Sequence, residues 1–317
     1  MPSPSAADPR PYPEPDDPLV GPALLEHALV ALGRLPSIDK LQQAAGRRWW
    51  EGGVAEIELA RAARAAGCDL PTVRKTSAAR ARRLLLRLVR RRIPVLLPLD
   101  DWTSWILVLA AEGTQFVVAD PNTAPVLDLV GWPSLRARWR RFDTEYSDED
   151  PPELFHLHPV VPGFRVAIQA DFSAARVRFL RRPENRQLSA HWNEFLEDLL
   201  EICRPPSPRQ SEPLSMAEFL RRHQRMLVQR ATYWHGGVSA AALTRLLRNF
   251  RVVAETYGLV IPLSVSRRAL ADIAVLTALW ASVAAGLGTL YGMPRPVKKK
   301  RRRKPTRRRR HPPKRRR

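Results

Sequence analysis

The chain has 317 residues, 44% of them hydrophobic, which is enough for two modest cores in a soluble protein. Its formal charge of +22 sits mostly at one end: sixteen Lys and Arg lie from Arg295 onward with no acid among them, leaving 37 basic against 31 acidic residues elsewhere. Two cysteines, Cys68 and Cys203, exclude a disulfide framework and a paired Cys-x-x-Cys metal site, and they fit a reducing compartment.

Met1 to Pro18 holds seven prolines and several acids, with neither the basic nor the apolar segment of a secretory signal. Proline fixes φ and removes a backbone donor, so this stretch is expected to be a disordered leader. From Gly21 the pattern turns helical, with Leu24, Leu25, Ala28, Leu29 and Leu32 on one side and Gly33 at the stop. A second helix is expected over Val54 to Ala66, stopping at Gly67, and a third, arginine-rich, over Ser77 to Arg91. The proline-bounded run Pro94 to Leu99 reads as an edge or early strand. Trp105 to Ala110 and Phe116 to Ala119 read as a hairpin about Glu112-Gly113. Val126 to Leu129 is expected as a strand, Leu135 to Arg141 as a helix and Leu154 to Val161 as a strand. Phe164 to Ala170 is strand-like, and Leu188 to Ile202 contains a helix.

Arg204-Pro205-Pro206-Ser207-Pro208-Arg209 is proline-dense and marks a hinge. Ser215-Met216-Ala217-Glu218 is a capping-box sequence opening a helix whose apolar side is read as Phe219, Leu220, His223, Met226 and Leu227. Ala240 to Tyr257 repeats helical spacing with Leu243, Leu246, Leu247, Phe250, Ala254 and Tyr257, stopping at Gly258. Ile273 to Pro294 carries no charge, so a bilayer span is one reading and a buried or interfacial helix the preferred one. A lone anchor there would have to move sixteen cations across the bilayer, against the positive-inside tendency.

Five pieces between Val20 and Val161 stand in a familiar order. They are Val20-Gly21-Pro22-Ala23-Leu24-Leu25; Gly52-Gly53-Val54 before a helix closing at Ala65-Ala66-Gly67; Ile93-Pro94-Val95-Leu96-Leu97; Ser104-Trp105-Ile106-Leu107-Val108-Leu109; and Val117-Val118-Ala119-Asp120-Pro121. In this order the chain resembles the bacteriocin-processing cysteine peptidases, a papain-like family that cuts double-glycine leader peptides. The resemblance implies a nucleophilic cysteine before Gly21-Pro22, where a helix start would stabilise a thiolate. Valine, Val20, stands there. It implies a histidine base where Ser104 stands, an orienting aspartate at Asp120, and an oxyanion-holding glutamine near Glu14. Valine cannot attack a carbonyl and serine cannot exchange a proton near neutral pH as imidazole does. Asp120 also reads as the cap of a turn, and without its histidine that reading is preferred. Relatives lacking the cysteine occur in some haemolysin-type exporters, where the domain looks like a docking site for polypeptide; this chain has no Walker A motif. The cleft that carries over lies between the helix from Gly21 and the strand from Trp105.

Other groups have simpler readings. His156 and His158 share one face of a strand, but no third metal ligand stands at a useful spacing, so they read as surface or interface histidines. His191-Trp192 and Trp234-His235-Gly236-Gly237 read as packing and capping, and both cysteines as unreactive. Arg80, Arg82, Arg83, Arg87, Arg90, Arg91 and Arg92 read as a solvated helix face, with a nucleic-acid groove as the sharper alternative. Lys298, Lys299, Lys300, Arg301, Arg302, Arg303, Lys304, Arg307, Arg308, Arg309, Arg310, Lys314, Arg315, Arg316 and Arg317 repel one another too strongly to fold, and suit polyanions: nucleic acid, or an anionic membrane surface.

The fold class expected is α+β. A Pro-rich leader (1–18) precedes a papain-like N-terminal domain (19–162), a short α/β extension (163–203), a linker (204–213), a mainly helical C-terminal domain (214–293) and a disordered basic tail (294–317). The function expected is that of a cytoplasmic, non-catalytic peptidase-like protein that docks a peptide or protein partner and holds nucleic acid through its tail, with no cofactor and no metal. One alternative is a membrane-associated scaffold with Ile273 to Met293 inserted; another is a hydrolase using Ser104 and Asp120.

Overall fold

The stripe from Leu24 to Leu32 forms helix α1 (Val20–Ala31), whose apolar side is fully buried in the larger of two cores. The structure is a computed structural model and describes residues 20–35, 38–46, 56–100, 102–120, 123–142, 153–167, 170–206, 213–234 and 238–284. Helix α2 (Ile38–Ala45) is additional to the helices expected, and α3 (Glu56–Ala65) lays Leu59, Ala62 and Ala63 on the same core. Short strands β1 (Cys68–Asp69) and β2 (Val73–Lys75) lead to the arginine-rich α4 (Ala78–Arg90). Next come β3 (Val95–Leu99), β4 (Ser104–Glu112), β5 (Gln115–Ala119), β6 (Leu127–Gly131), α5 (Trp132–Trp139), β7 (Arg141–Phe142), β8 (Glu153–Pro159) and β9 (Val161–Pro162). The remainder is mainly helical: α6 (Ala174–Leu180), α7 (Arg186–Ala190), α8 (Trp192–Ile202), α9 (Met216–Trp234), α10 (Ala240–Tyr257) and α11 (Ser266–Ala284). Within it, β10 (Leu214–Ser215) pairs with β11 (Val260–Ile261). The class is α+β, as expected.

Seven strands form an antiparallel sheet in the order β2-β8-β3-β4-β5-β6, with β7 on β8. Side chains leave a strand alternately to its two sides, which divides the interior. Leu96, Leu107, Leu109, Val117, Ala119 and Leu127 meet α1 and α3 on one side. Val95, Leu97, Leu99, Ile106, Val108, Phe116, Val118, Phe155 and Leu157 meet α4 and α5 on the other. The hairpin forms about Gly113, which adopts φ 59° where Glu112 opposes Gln115.

Three expectations are corrected here. Pro94 to Leu99 is not an edge: β3 lies between β4 and β8. It tolerates Pro98 because β8 stays in register with β3 only at Val95 and Leu96, so a donor at 98 has no partner to serve. Residues 164–167 form no strand; the chain pairs just before them, where β9 makes a two-residue contact with β1. On α9 the buried stripe is Met216, Phe219, Leu220, Leu227 and Ala231, while Met226 is 39% exposed, one position off the stripe. Ser215 does accept from Glu218 N at 3.5 Å, but the Glu218 carboxylate turns to Arg221 and Arg222 instead of closing the box.

The larger core is continuous from Leu24 through Trp192, Phe195 and Phe250 to Trp280. Phe195 stacks on Trp280 at 4.3 Å and meets Phe250 edge-on at 4.9 Å, which ties α8, α10 and α11 together. The main chain of Arg204 pairs with that of Val260. Helix α11 buries Ile273, Thr277, Trp280 and Ala281; residues 285–293 of the apolar run lie outside the described residues. No described helix is long and apolar enough to cross a membrane.

Helices α1, α3 and α10 stop at Gly33, Gly67 and Gly258, each in the left-handed region where glycine carries no Cβ penalty. Helix α4 closes in the same way, with Arg92 N bonded to Val89 O and Ile93 N to Leu88 O, but the left-handed residue is Arg92, at φ 58°. These ends predict substitutions of opposite sign. In urea unfolding, Gly258→Ala is expected to lower stability by about 1 kcal/mol and Arg92→Gly to raise it by up to about 1 kcal/mol. Equal signs for the two would show that cap geometry does not limit either helix end.

Candidate functional site

Helix α1 packs against β4 and α3, and it begins at Val20 with Gly21 facing Leu59: a Cβ at Gly21 would sit 3.3 Å from Leu59 Cδ1. The glycine therefore sets how closely the start of α1 approaches α3. The Val20 side chain and all of Glu14 lie outside the described residues, as do residues 298–317.

Strand alternation separates the remaining positions. Ser104 opposes Leu99 in the register, so it points to the α4 and α5 side. There its hydroxyl is 3.4 Å from Asp100 Oδ2 and from Arg138 Nη2, beside the Arg138–Asp100 ion pair of 2.7 Å. Trp105, one residue on, packs against the core that α1 fills. Asp120 ends β5 and organises a turn: its N–H donates to Val126 O at 2.9 Å, and its carbonyl accepts from the N–H and hydroxyl of Thr123, each at 3.1 Å. Ser104 and the histidines of β8 therefore lie on opposite faces of the sheet.

What gathers at Trp105 is a set of rings. Trp102 meets Trp105 edge-on at 5.3 Å, His156 at 5.2 Å and His158 at 5.7 Å; Trp105 lies 5.3 Å from His158. Trp102 adopts φ 69°, a conformation that a bulky residue takes only where its surroundings impose it. The two histidines are 8% and 1% exposed, which corrects the surface or interface reading. Desolvation, with His156 adding to it, lowers the His158 pKa to about 4, so the ring is neutral near pH 7. Thr72 bridges to α3: its hydroxyl donates to Glu56 Oε2 at 3.1 Å and lies 3.4 Å from His158 Nδ1, while His158 Nε2 is 3.6 Å from Glu56 Oε1. No group of three or more His, Cys, Asp or Glu able to hold a metal occurs among the described residues. The arrangement is a mostly apolar cluster of rings with one carboxylate, Glu56, beside His158.

A second polar cluster lies under α1. Buried His27 donates from Nε2 to Asn193 Oδ1 at 2.9 Å and accepts at Nδ1 from the Tyr257 hydroxyl at 2.8 Å. Tyr257 in turn accepts from Trp192 Nε1 at 3.2 Å. Every ring nitrogen is satisfied with a neutral imidazole, and burial lowers its pKa to about 4. Both thiols are buried: desolvation pushes the Cys68 pKa up to about 11 and raises that of Cys203, which donates to Leu199 O at 2.9 Å. Neither shares a hydrogen bond with an imidazole among the described residues. His191 stands at the N-cap position of α8, but its side chain makes no capping hydrogen bond. Its ring packs on Trp280 at 5.5 Å and its Nδ1 lies 3.1 Å from Glu194 Oε1, so the packing reading holds and the capping one does not. Residues 235–237 lie outside the described residues.

Sequence reasoning did not find Glu56, Thr72 and Trp102 as partners of His158, nor His27 with Tyr257. Their only local traces are two histidines at strand spacing and two tryptophans three apart. The partners come from elements up to 230 residues away in the chain.

No protein-family model matches this chain, and no curated protein matches it. Among solved structures it is similar to the peptidase domain of Streptococcus ComA, described as a bi-functional ABC transporter involved in a quorum sensing pathway. The TM-score is 0.32 at 15% identity, over 48% of this chain and 96% of that domain.

Buried His27 and His158 set a pH dependence. Their folded pKa values lie near 4, below about 6.5 for the unfolded chain, so between those values the unfolded state binds more protons. Stability is expected to fall as pH drops from about 6.5 to about 4 and to level off below, with His27 contributing on the order of 3 kcal/mol. Urea titrations across that range check it. His27→Leu should lower stability at pH 7 by about 1–3 kcal/mol for each partner left unpaired and make the acid slope shallower; an unchanged slope would contradict the assignment. The native thiols should also resist iodoacetamide near pH 8, with two alkylated per chain only after unfolding.

Proposed function

We propose that this chain is a peptidase-like binding protein of papain-like type that does not cleave its ligand. In this reading, the cleft between the start of α1 and the first residues of β4 docks an extended peptide or protein segment. The basic segment from Lys298 to Arg317 then holds the protein on polyanions, nucleic acid foremost. The observation that carries the reading is a substitution of kind at both reacting positions. Val20 stands before Gly21-Pro22, where the resemblance implies the cysteine, and Ser104 stands where it implies the histidine, with Trp105 turned to the α1 core.

Supporting it, the Ser104 hydroxyl lies beside the Arg138–Asp100 pair on the far side of the sheet, and both thiols have pKa values raised by burial. A valine before Gly21-Pro22 supplies no nucleophile, and the part-exposed indoles of Trp102 and Trp105 offer surface for contact. Tryptophan pairs at a cleft rim supply much contact area at low conformational cost. The basic segment would displace counterions from a phosphate backbone without reading sequence.

Synthetic double-glycine leader peptides test the reading directly. Incubation with the full chain is expected to give no cleavage product, while a fluorescent leader peptide binds and loses affinity at least tenfold on Trp105→Ala. Turnover that disappears on Ser104→Ala would establish a hydrolase with rearranged residues instead. Equal peptide binding by wild type and Trp105→Ala would move the docking site away from this cleft.

A further inference from the structure

The arginines of α4 differ from those on the other helices. Arg80, Arg83, Arg87 and Arg90 follow one another at steps of three, four and three, so all four project along one exposed stripe. Ala81, Leu85 and Val89 fix the orientation by packing the opposite side into the core beneath the sheet. Arg82 leaves the stripe and lies over the Trp132 ring at 5.4 Å, which joins α4 to α5. Exposed Arg91 and Arg92 prolong the stripe beyond the helix end.

On other helices several surface arginines are paired with carboxylates. Arg136 and Arg138 on α5 meet Glu153 and Asp100; Arg176 on α6 meets Asp171; Arg221 and Arg222 on α9 meet Glu218. Arg251 on α10 meets Glu255, and Arg268 on α11 meets Asp272. Among the described helices longer than eight residues, α4 alone contains no acidic residue, and no ion pair joins its stripe to a carboxylate among the described residues. Like charges three and four apart oppose helix formation. The hydrophobic side of α4 therefore holds together a line of cations that nothing in the described fold compensates.

We propose that this stripe is a second polyanion-binding surface, one that grips the phosphate backbone of double-stranded nucleic acid independently of the basic C-terminal segment. From Arg80 to Arg90 the helix rises about 15 Å. Over that length a duplex presents a phosphate charge about every 1.7 Å, so four guanidiniums spaced along one line each meet a phosphate. Guanidinium suits phosphate through paired N–H donors. The exposed stripe holds no aromatic side chain on which an unpaired base could stack, which favours duplex over single strand. It holds no apolar side chain to enter a bilayer, which argues against a lipid surface. The contact reads no sequence, because phosphates carry none.

Fluorescence anisotropy with a labelled duplex of mixed sequence, over a series of salt concentrations, tests the proposal on full-length chains. One variant carries Arg80→Gln, Arg83→Gln, Arg87→Gln and Arg90→Gln. A second replaces the basic residues from Lys298 to Arg310 by glutamine. The first should reduce the slope of log K against log salt by about 3.6, four contacts at about 0.9 each, while circular dichroism remains unchanged. The second should retain binding with a slope of at least about that size. An unaltered slope in the α4 variant, with binding abolished in the second, would overturn the stripe and leave the C-terminal reading standing. Binding to phosphatidylglycerol vesicles that depends on the α4 arginines, with duplex binding indifferent to them, would overturn it in favour of a membrane surface.

Discussion

A side chain on a strand can go only to one side or the other of its sheet, and most of this molecule's organisation follows from that restriction. The apolar residues of β3, β4 and β5 are shared between two separate cores, and each core calls for its own helices. One side takes α1, α3 and, through a continuous interior, α8, α10 and α11. The other takes α4 and α5. The same restriction sends Ser104 towards Arg138 and its neighbour Trp105 towards α1, and it puts both histidines of β8 on the Trp105 side. One residue of register therefore puts the Ser104 hydroxyl and the two imidazoles on opposite faces.

Within the larger core, polar groups are admitted where they are satisfied. His27, Tyr257, Trp192 and Asn193 form a closed set of donors and acceptors linking α1 to α8 and α10. It costs little while the imidazole is neutral and becomes costly once it is charged, because desolvation outweighs the help that the Asn193 hydrogen bond gives a cation. Asp198 shows the reverse case: burial raises its pKa, although it accepts from Trp280 Nε1 at 2.6 Å. The ring cluster about Trp102 is of another kind. It is partly open, mostly apolar and built on a left-handed tryptophan.

Several features were legible in the residues alone because they depend on local spacing. The stripes of α1 and α10, the Gly33, Gly67 and Gly258 stops and the hairpin at Gly113 follow from helical period, strand period and glycine's access to positive φ. The end of α4 was less marked, since Arg92 takes a conformation usually left to glycine. Pro98 misled because proline argues for an edge, and only the early end of the β8 ladder makes an interior place tolerable. His156 and His158 were correctly placed on one face, but burial depends on what lies over that face. Trp102 and Trp105 are near in sequence; Thr72 and Glu56 are not.

By itself the sequence determined the chemistry on offer: valine before Gly21-Pro22, two thiols far apart in the chain, an arginine-rich helix, and a C-terminal segment of cations. Those are properties of residue type and near neighbours, and no folding can add a nucleophile to a valine. Tertiary structure decided which of these groups meet. Register across β8, β3 and β4 brought tryptophans to the histidines and kept Ser104 from them, and packing of α1 on α8 and α10 gave His27 its partners. Such pairings are set by the joint burial of distant apolar surfaces, a sum over the whole chain that no short stretch of residues contains.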